Sequence, residues 1–186
     1  ATAVGFTTHS EIVAPYIVAY GTEAQKQRWL PKMVSGEMVG VIAMSEPGVG
    51  SDLRSMRTTA VRNADSYTIN GQKTFITNGG NADLAVTATK LDPAAKELTL
   101  ICVETDQSGF SKGRRLEKIG LKGQDTSELF FDNVSVPLEN RLGEEGQGFK
   151  YLTHQLAWER TIIGIRAAAS IESLLDQTIQ YTRDRK

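Results

Sequence analysis

Residues 43–52 read Ala-Met-Ser-Glu-Pro-Gly-Val-Gly-Ser-Asp, and this stretch decides the fold more than any other. It closes a short apolar run at residues 39–44, which is typical of a buried strand. Its glycines let the backbone approach a ligand closely, and backbone amides there can bind phosphate oxygens. No lysine follows the last glycine and no βαβ pattern surrounds the stretch, so it is neither a P-loop nor a dinucleotide fingerprint. The residues alone leave an ordinary turn and a ligand-binding loop both open.

The middle of the chain, from about residue 37 to residue 136, alternates short apolar runs with turn residues. Residues 67–69 and 74–77 flank Asn70 and Gly71, a pair typical of tight turns, and they predict a β-hairpin. Many short strands with little helix indicate a closed or folded-over antiparallel sheet. Further strands are predicted at 84–89, 98–104 and 129–136, with turns at 78–81 and 108–109.

Helical patterns occupy both ends of the chain. Thr22 and Gln25 have the spacing of a capping box, which predicts that a helix begins just after Gly21. From about residue 148 an apolar stripe persists for many turns without an end signal. We therefore expect a chain cut from a longer polypeptide, inside a helix whose apolar face self-associates or stays exposed. The stripe contains Phe149, Leu152, Leu156, Ile162, Ile163, Ala167, Leu174, Leu175 and Ile179.

Composition argues against several classes of protein. Of the 186 residues 40% are hydrophobic and 23% charged, and the formal net charge of −1 offers no basic surface for nucleic acid or an anionic membrane. Cys102 lies in an apolar run and is predicted to be core, while His9 and His154 are far apart, so no disulfide framework or metal site is predicted. No run reaches membrane-spanning length and no signal-peptide pattern begins the chain. We expect a soluble protein of a reducing compartment.

Ordered motifs identify a family. The sequence Ser-Glu-Pro-x-x-Gly-Ser-Asp after an apolar strand, followed by Asn-Gly-x-Lys-x-Phe-Ile-Thr-Asn-Gly, resembles the signature of the acyl-CoA dehydrogenases. Several motifs in one order are far more specific than any one of them, and the resemblance covers nearly the whole chain. The stretches that carry it are 9–10, 29–31, 45–52, 70–79, 118–121, 125–131, 134–137, 142–149 and 159–160.

The resemblance implies an α+β fold, with a middle antiparallel β-barrel domain flanked by helices. It places the end of an N-terminal helical domain at 1–36, the middle β-domain at 37–146, and the truncated first helix of a C-terminal helical domain at 147–186. It also implies a homodimer or homotetramer in the full-length protein, with each FAD site completed partly by a neighbouring subunit. We therefore expect this chain alone to bind FAD weakly or not at all.

FAD is the cofactor that the resemblance implies. Ser45 is expected to hydrogen-bond the isoalloxazine edge, and Gly50 and Ser51 to lie toward the pyrophosphate and the acyl-CoA. Phe75 stands where the family often has tryptophan and is expected to pack on the flavin ring, which Thr77 hydrogen-bonds. Without the resemblance, Phe75 and Thr77 would be ordinary strand residues. The cofactor-binding set is Ile42, Met44, Ser45, Gly50, Ser51, Phe75, Ile76 and Thr77.

The chemistry of the family needs a carboxylate base for the proton α to the thioester. The long-chain and isovaleryl branches carry this glutamate directly before an arginine on the first helix of the C-terminal domain, where this chain has Glu159 and Arg160. A base on a C-terminal loop outside this chain, with Glu159 at the surface or paired with another domain, is the alternative. On a helix, burial on the face it shares would raise the pKa of Glu159. That face carries Leu152, Gln155, Leu156, Ile162 and Ile163.

The substrate side is predicted from the same motifs. Some relatives have an aspartate that contacts pantetheine where this chain has Ala157, so this chain departs from the family pattern at that position. By helical spacing alone, His154 and Trp158 are packing residues. No metal ligand is expected. The resemblance places the acyl-CoA against Ser51, Ala157, Trp158, Glu159 and Arg160.

The predicted function is FAD-dependent α,β-dehydrogenation of an acyl-CoA to the trans-2-enoyl-CoA, in fatty-acid or branched-chain oxidation. Residues 120–126 and the pair Glu159-Arg160 favour the long-chain branch. Two alternatives stay open: an acyl-CoA oxidase or flavin monooxygenase of the same fold, and a non-catalytic module that binds acyl-CoA or flavin. The resemblance implies an electron-transfer flavoprotein as partner, and bacterial cytoplasm or mitochondrial matrix as location.

Overall fold

A computed structural model describes residues 3–185 of the chain. The helices are α1 (Ala3–Thr7), α2 (Ala14–Tyr20), α3 (Glu23–Ser35) and α4 (Gly148–Asp184), with a π-helical turn (Thr8–Val13) joining α1 to α2. The strands are β1 (Gly40–Ala43), β2 (Thr59–Arg62), β3 (Ser66–Thr77), β4 (Leu84–Thr89), β5 (Thr99–Glu104), β6 (Phe110–Arg115), β7 (Thr126–Pro137) and β8 (Arg141–Leu142).

The strands form two four-stranded sheets, and the helices pack on the first of them. The first sheet has the order β1-β4-β5-β8 and the second the order β2-β3-β7-β6. In β4, Leu84 and Val86 pack against the helices, whereas Ala85 between them packs against the second sheet. Successive residues of a strand point to opposite faces, so β4 is buried on both. Its uncharged sequence follows from that position.

The expected antiparallel barrel is not what the structure has. The two sheets lie face to face and are joined at an edge by a bridge between Thr59 and Lys90, without closing into a barrel. In addition, β1 pairs with β4 in parallel, with Gly40 opposite Leu84. A parallel pair needs a long crossover, and here β2 and β3 supply it. The other strand pairs are antiparallel, and the mixed helix and sheet content agrees with the predicted α+β class.

The predicted hairpin at Asn70-Gly71 is wrong. Residues 66–77 form one continuous strand, β3, whose register against β7 shifts between Ile69 and Gly71. Gly71 has a φ of 147°, and a Cβ there would lie 2.5 Å from Oγ1 of Thr58. The glycine therefore serves a bulge and a close approach rather than a turn. Because β7 is long enough to pair with both halves of β3, the chain has no need to reverse.

The predicted helix start at Thr22 is confirmed. The Thr22 hydroxyl accepts a hydrogen bond from the Gln25 amide, and the Gln25 side chain accepts one from the Thr22 amide. The helix ends at Gly36, whose φ of 82° is left-handed. His9 links this helix to the first sheet, because its Nε2 contacts the Met33 carbonyl and its Nδ1 accepts from the Gly40 amide. Cys102 is fully buried in the core, as predicted, and burial raises the pKa of its thiol.

The long helix α4 is confirmed but only partly buried. Leu152, Gln155 and Ile162 are buried, whereas every described residue from Ile163 onward is exposed. The distal part of the predicted apolar stripe therefore lies at the surface of the described chain, with Leu174 61% exposed. None of the helices within residues 3–185 is long and apolar enough to cross a membrane.

Candidate functional site

The loop after β1 is built as a tight, open turn. The backbones of Glu46 and Val49 bond to each other twice, at 3.0 and 2.9 Å, which closes the turn. A Cβ built on Gly48 or Gly50 would have no heavy atom within 4 Å. The outer side of this loop is therefore unobstructed backbone, which a ligand can approach closely. Ser51, just beyond it, is exposed.

Beneath the loop, β3 holds it with a buried ion pair. Nζ of Lys73 lies 2.9 Å from Oε1 of Glu46 and donates to the Met44 carbonyl at 3.1 Å. The next residue, Thr74, donates its amide to the Ser45 carbonyl at 2.9 Å. Residues 44–46 are thus fixed one after another by two consecutive residues of a strand. The loop is ordered by the sheet below it.

Both members of the ion pair are charged at neutral pH. Burial opposes ionisation of Glu46, but the charge of Lys73 and hydrogen bonds from Thr58, Lys73 and Arg57 more than offset it and hold the pKa of Glu46 below its usual value. Burial lowers the pKa of Lys73 to about 8, against the attraction of Glu46. The two charges are paired with each other and with further hydrogen bonds inside the protein, so the role of the pair is to hold the loop in place.

Phe75 is presented on the surface by a second irregularity in β3. The register against β7 shifts again between Lys73 and Ile76, and Phe75 has a φ of 58°. A bulky residue in the left-handed region is a genuine outlier, and such strain clusters at functional sites. The side chain is 68% exposed, so it does not belong to the core. Thr77, two residues on, is half-buried where β3 meets Thr126.

Glu159 lies on the buried side of α4, facing α2. Its Oε1 accepts a hydrogen bond of 3.0 Å from the Tyr16 hydroxyl. Burial raises the pKa of Glu159, and the Tyr16 hydrogen bond and the charge of Arg160 only partly offset this. The predicted face is confirmed for Leu152, Gln155 and Ile162, all of them buried. A carboxylate with a raised pKa can act as a general base.

The two halves of the candidate site are connected through the core. Tyr16 belongs to the same apolar cluster as Val49, and Met44 packs against that cluster. Within residues 3–185 no hydrogen bond or ion pair joins Glu159 directly to Ser45, Phe75 or Thr77. Loop and base are therefore positioned by a shared core.

Of the cavities in residues 3–185, one borders the loop after β1. A cavity of about 770 Å³ opens where the π-helical turn meets the strands, lined by His9, Met33, Asn78 and Asp125 among others, and none of the predicted site residues lines it. A groove of about 640 Å³ runs along the loop at Glu46 and Gly48. Phe75 projects instead from an open surface. A ligand bound there would be enclosed only if a further protein surface covered it. Among residues 3–185 there is no group of three or more side chains that could hold a metal ion.

Comparison with known proteins identifies the family. The family model described as "Acyl-CoA dehydrogenase, middle domain" matches residues 41–134. The models for the N-terminal and C-terminal domains of the same proteins match residues 1–37 and 146–186. This chain belongs to the acyl-CoA dehydrogenase family.

Individual acyl-CoA dehydrogenases are similar over the whole chain. The mitochondrial long-chain specific acyl-CoA dehydrogenase of Mus musculus is 45% identical over 189 aligned positions, which cover 100% of this chain and 44% of that protein. A crystal structure of an acyl-CoA dehydrogenase from Geobacillus kaustophilus superimposes with a TM-score of 0.95 at 53% identity, covering 100% of this chain and 50% of that one. An acyl-CoA dehydrogenase from Bacillus anthracis, complexed with FAD, gives a TM-score of 0.94 at 33% identity, covering 99% of this chain and 32% of that one. The chain thus spans about half the length, or less, of these relatives.

The structure distributes the other predicted residues of this acyl-CoA dehydrogenase chain unevenly. Ile42 and Met44 are half-buried and pack against the helix-side core. The Ile76 side chain is buried between the sheets, so only its backbone can reach a ligand. Ala157 and Arg160 are exposed on α4. Trp158 is 44% exposed and donates to the Glu11 carbonyl at 3.0 Å.

Three residues of the candidate site were not predicted. Lys73 and Glu46 lie inside the quoted motifs but were assigned no role, because the strand around Lys73 is mostly polar and gives no sign that the lysine is buried against a partner. Tyr16 was not predicted either. It is separated from Glu159 by 143 positions, and nothing in the local pattern of either residue indicates that they meet.

Proposed function

We propose that the protein containing this chain catalyses FAD-dependent α,β-dehydrogenation of an acyl-CoA thioester to the trans-2-enoyl-CoA. The observation that carries the proposal is Glu159, a half-buried carboxylate with a raised pKa that directly precedes an exposed arginine on α4. Its position in a member of this family supports the role of base. Because the chain spans about half of its relatives, the activity belongs to the whole protein.

The role of Glu159 is to take the proton from the carbon α to the thioester. A useful base is ionised at working pH and has a pKa close enough to neutral to accept the proton in the transition state. Burial moves Glu159 in that direction, while the Tyr16 hydrogen bond fixes one of its oxygens. Bound FAD supplies the acceptor for the β-hydride.

The surface between the loop and the bulge of β3 fits a flavin. An exposed aromatic ring at Phe75 offers a face for stacking, and the half-buried Thr77 offers a hydroxyl at the end of the same strand. Across from them, Ser45 is held by the Thr74 amide, and Gly50 and Ser51 offer open backbone for phosphate oxygens. Ile42, Met44 and the backbone of Ile76 complete the proposed FAD site.

The acyl-CoA is proposed to lie between this loop and α4. Ser51 borders it from the loop, and Ala157, Trp158 and Arg160 border it from the helix. Arg160 is exposed and carries its charge beside Glu159, where it can bind a polar group of the substrate. The Ala157 methyl has no polar atom, so we propose that this position adds no hydrogen bond to pantetheine.

The family resemblance also supports proposals for the domain boundaries, the oligomeric state, the electron acceptor and the location. We propose domain boundaries at 36/37 and 146/147, and a homodimer or homotetramer whose neighbouring subunits help to enclose FAD. The exposed ring of Phe75 supports this, since an open surface retains a flavin poorly. An electron-transfer flavoprotein is the proposed acceptor of the electrons. Bacterial cytoplasm is the proposed location, or the mitochondrial matrix if the source is eukaryotic.

The test is to mix the flavin-loaded protein with a panel of acyl-CoAs without oxygen, and then with it. Bleaching of the flavin absorbance together with formation of the trans-2-enoyl-CoA supports dehydrogenation. Rapid reoxidation by oxygen, with hydrogen peroxide formed, would instead identify an oxidase. Binding without bleaching by any acyl-CoA would indicate the non-catalytic module and contradict the proposal.

A further inference from the structure

The hydroxyl of Tyr16 and the carboxylate of Glu159 form an isolated contact across two helices. Tyr16 lies on α2 with no exposed surface, and its Oη donates to Oε1 of Glu159 at 3.0 Å. Within residues 3–185 the second carboxylate oxygen, Oε2, accepts no hydrogen bond. One oxygen is therefore fixed, and the other is left without a partner in the described chain.

We propose that Tyr16 is a positioning residue for the base: its buried hydroxyl holds Oε1 of Glu159 and leaves Oε2 to take the proton of the acyl-CoA. This inference rests on the proposed function, in which Glu159 is the base. The proton moves from the substrate α-carbon to Oε2. The electron pair of that C–H bond becomes the new C=C bond as the β-hydride leaves to the flavin.

The contact also counteracts the effect of burial. Burial raises the pKa of Glu159, whereas the hydrogen bond from Tyr16 favours the ionised form and lowers it. Burial raises the pKa of the Tyr16 hydroxyl too, and the Glu159 charge adds to this, so Tyr16 remains protonated and able to donate. Tyr16 therefore keeps a half-buried carboxylate ionised enough to act as a base.

Tyr16 is itself held rigidly. Its ring packs in the helix-side core with Val13, Ile17 and Leu152, and lies 6.3 Å from the ring of Tyr20. A second contact fixes the same stretch of α4, because Trp158 donates to the Glu11 carbonyl in the π-helical turn at 3.0 Å. Single π turns occur frequently at functional sites. Two adjacent residues of α4 are thus fastened to one irregular helix.

Few other ionisable groups from the packed elements compete with Tyr16 for Glu159. Arg160 is the charge that acts on Glu159 in addition to the hydrogen bond. His9 is engaged with Met33 and Gly40, and His154 with the Tyr20 hydroxyl. The titratable and charged groups on the elements around Glu159, with α4 counted only as far as Arg166, are His9 and Glu11 on the π-helical turn, Tyr16 and Tyr20 on α2, Cys102 and Glu104 on β5, and Lys150, Tyr151, His154, Arg160 and Arg166 on α4.

The test compares Tyr16→Phe with Tyr20→Phe in the flavin-loaded protein. Tyr20 is a matched control, since its hydroxyl lies one turn further along α2 and bonds His154 instead. Two quantities are measured: the pH dependence of the rate of flavin bleaching by acyl-CoA, and the titration of Glu159 itself by carboxyl ¹³C NMR, assigned with Glu159→Gln. A hydrogen bond to a charged group supports a shift of about one pKa unit.

We expect Tyr16→Phe to move both the acid limb of the rate profile and the titration of Glu159 upward by about one pH unit. Tyr20→Phe should leave both unchanged, and 3-fluorotyrosine at position 16, a stronger donor, should move them downward. Unchanged values in Tyr16→Phe would overturn the inference. Full bleaching in Glu159→Gln would instead overturn the assignment of Glu159 as the base in the proposed function, while the NMR titration would still report on the Tyr16 contact.

Discussion

Nζ of Lys73 lies 2.9 Å from Oε1 of Glu46, and the two side chains are 0% and 5% exposed. Lys73 also holds the Met44 carbonyl, and Glu46 accepts the amides of Arg57 and Thr58. The pair therefore joins β3, the loop after β1 and the segment before β2. One buried interaction organises three stretches of chain around the proposed flavin loop.

Removing one partner of this pair should cost much more stability than removing both. Lys73→Met leaves a buried carboxylate without its counter-ion, and we expect the free energy of unfolding in urea to fall by about 3–5 kcal/mol. Adding Glu46→Gln removes the unpaired charge and keeps an acceptor for one of the two amides, so it should recover part of that loss. The exposed Lys112→Met in β6 is the control and should change little. Equal, small effects of both lysine substitutions would contradict the account of the pair.

Gly71 should be intolerant of a side chain, whereas Gly48 should accept one. A Cβ at Gly71 would meet Thr58 Cα at 2.7 Å, with φ at 147°, while a Cβ at Gly48 would meet nothing within 4 Å. We expect Gly71→Ala to lower the free energy of unfolding by about 2–3 kcal/mol and Gly48→Ala by less than about 0.5 kcal/mol. A stable Gly71→Ala protein would show that the bulge in β3 has a different origin.

Phe75 should matter for FAD rather than for folding. It is 68% exposed and has a φ of 58°, so Phe75→Gly loses little packing and relieves backbone strain. We expect the stability of the FAD-free protein to stay within about 1 kcal/mol, and FAD to bind about tenfold more weakly or worse. The adjacent core residue gives the opposite pattern, since Ile76→Ala should destabilise the protein by about 2–4 kcal/mol. Unchanged FAD affinity in Phe75→Gly, measured by fluorescence titration, would remove Phe75 from the proposed site.

The contribution of Glu159 to the free energy of unfolding should become less favourable as the pH rises. Its pKa is raised in the folded chain, so the folded state binds this proton more tightly than the unfolded state does. The protein therefore loses stability as pH increases from the ordinary glutamate value through the raised one. Glu159→Gln keeps an acceptor for Tyr16 but removes the charge. We expect it to be more stable than wild type at pH 7–8 and to lose that advantage near pH 4, in thermal or urea unfolding. Equal stability across this range would mean that Glu159 is not perturbed by burial.

Local patterns predicted the parts of the fold that depend on neighbouring residues. The capping box of Thr22 and Gln25 and the long helix from Gly148 appeared as expected, because both are set within a few residues along the chain. The hairpin predicted at Asn70-Gly71 was wrong, because the same dipeptide occurs in hairpin turns and in bulges. The length of the partner strand β7 decides between the two. The parallel pairing of β1 with β4 was likewise set by tertiary packing.

The candidate site shows the same division. Glu159 could be proposed from its motif and helix face, and burial on that face is confirmed for Leu152 and Gln155. Tyr16 could not be predicted, because it is 143 positions from Glu159 and the two residues meet only when the chain between them has folded. Exposure of Phe75 could not be predicted either, because the bulge that turns it outward depends on the register with β7.

The most direct test of the central claim is a single-turnover comparison of wild type and Glu159→Gln, both loaded with FAD and mixed anaerobically with an acyl-CoA that bleaches the wild-type flavin. Gln keeps the size and the Tyr16 contact of the side chain and removes its ability to take a proton. The account predicts that the bleaching rate falls by at least about a thousandfold, while FAD content and acyl-CoA binding stay close to wild type. A Glu159→Gln protein that bleaches at the wild-type rate would contradict the account and place the base elsewhere.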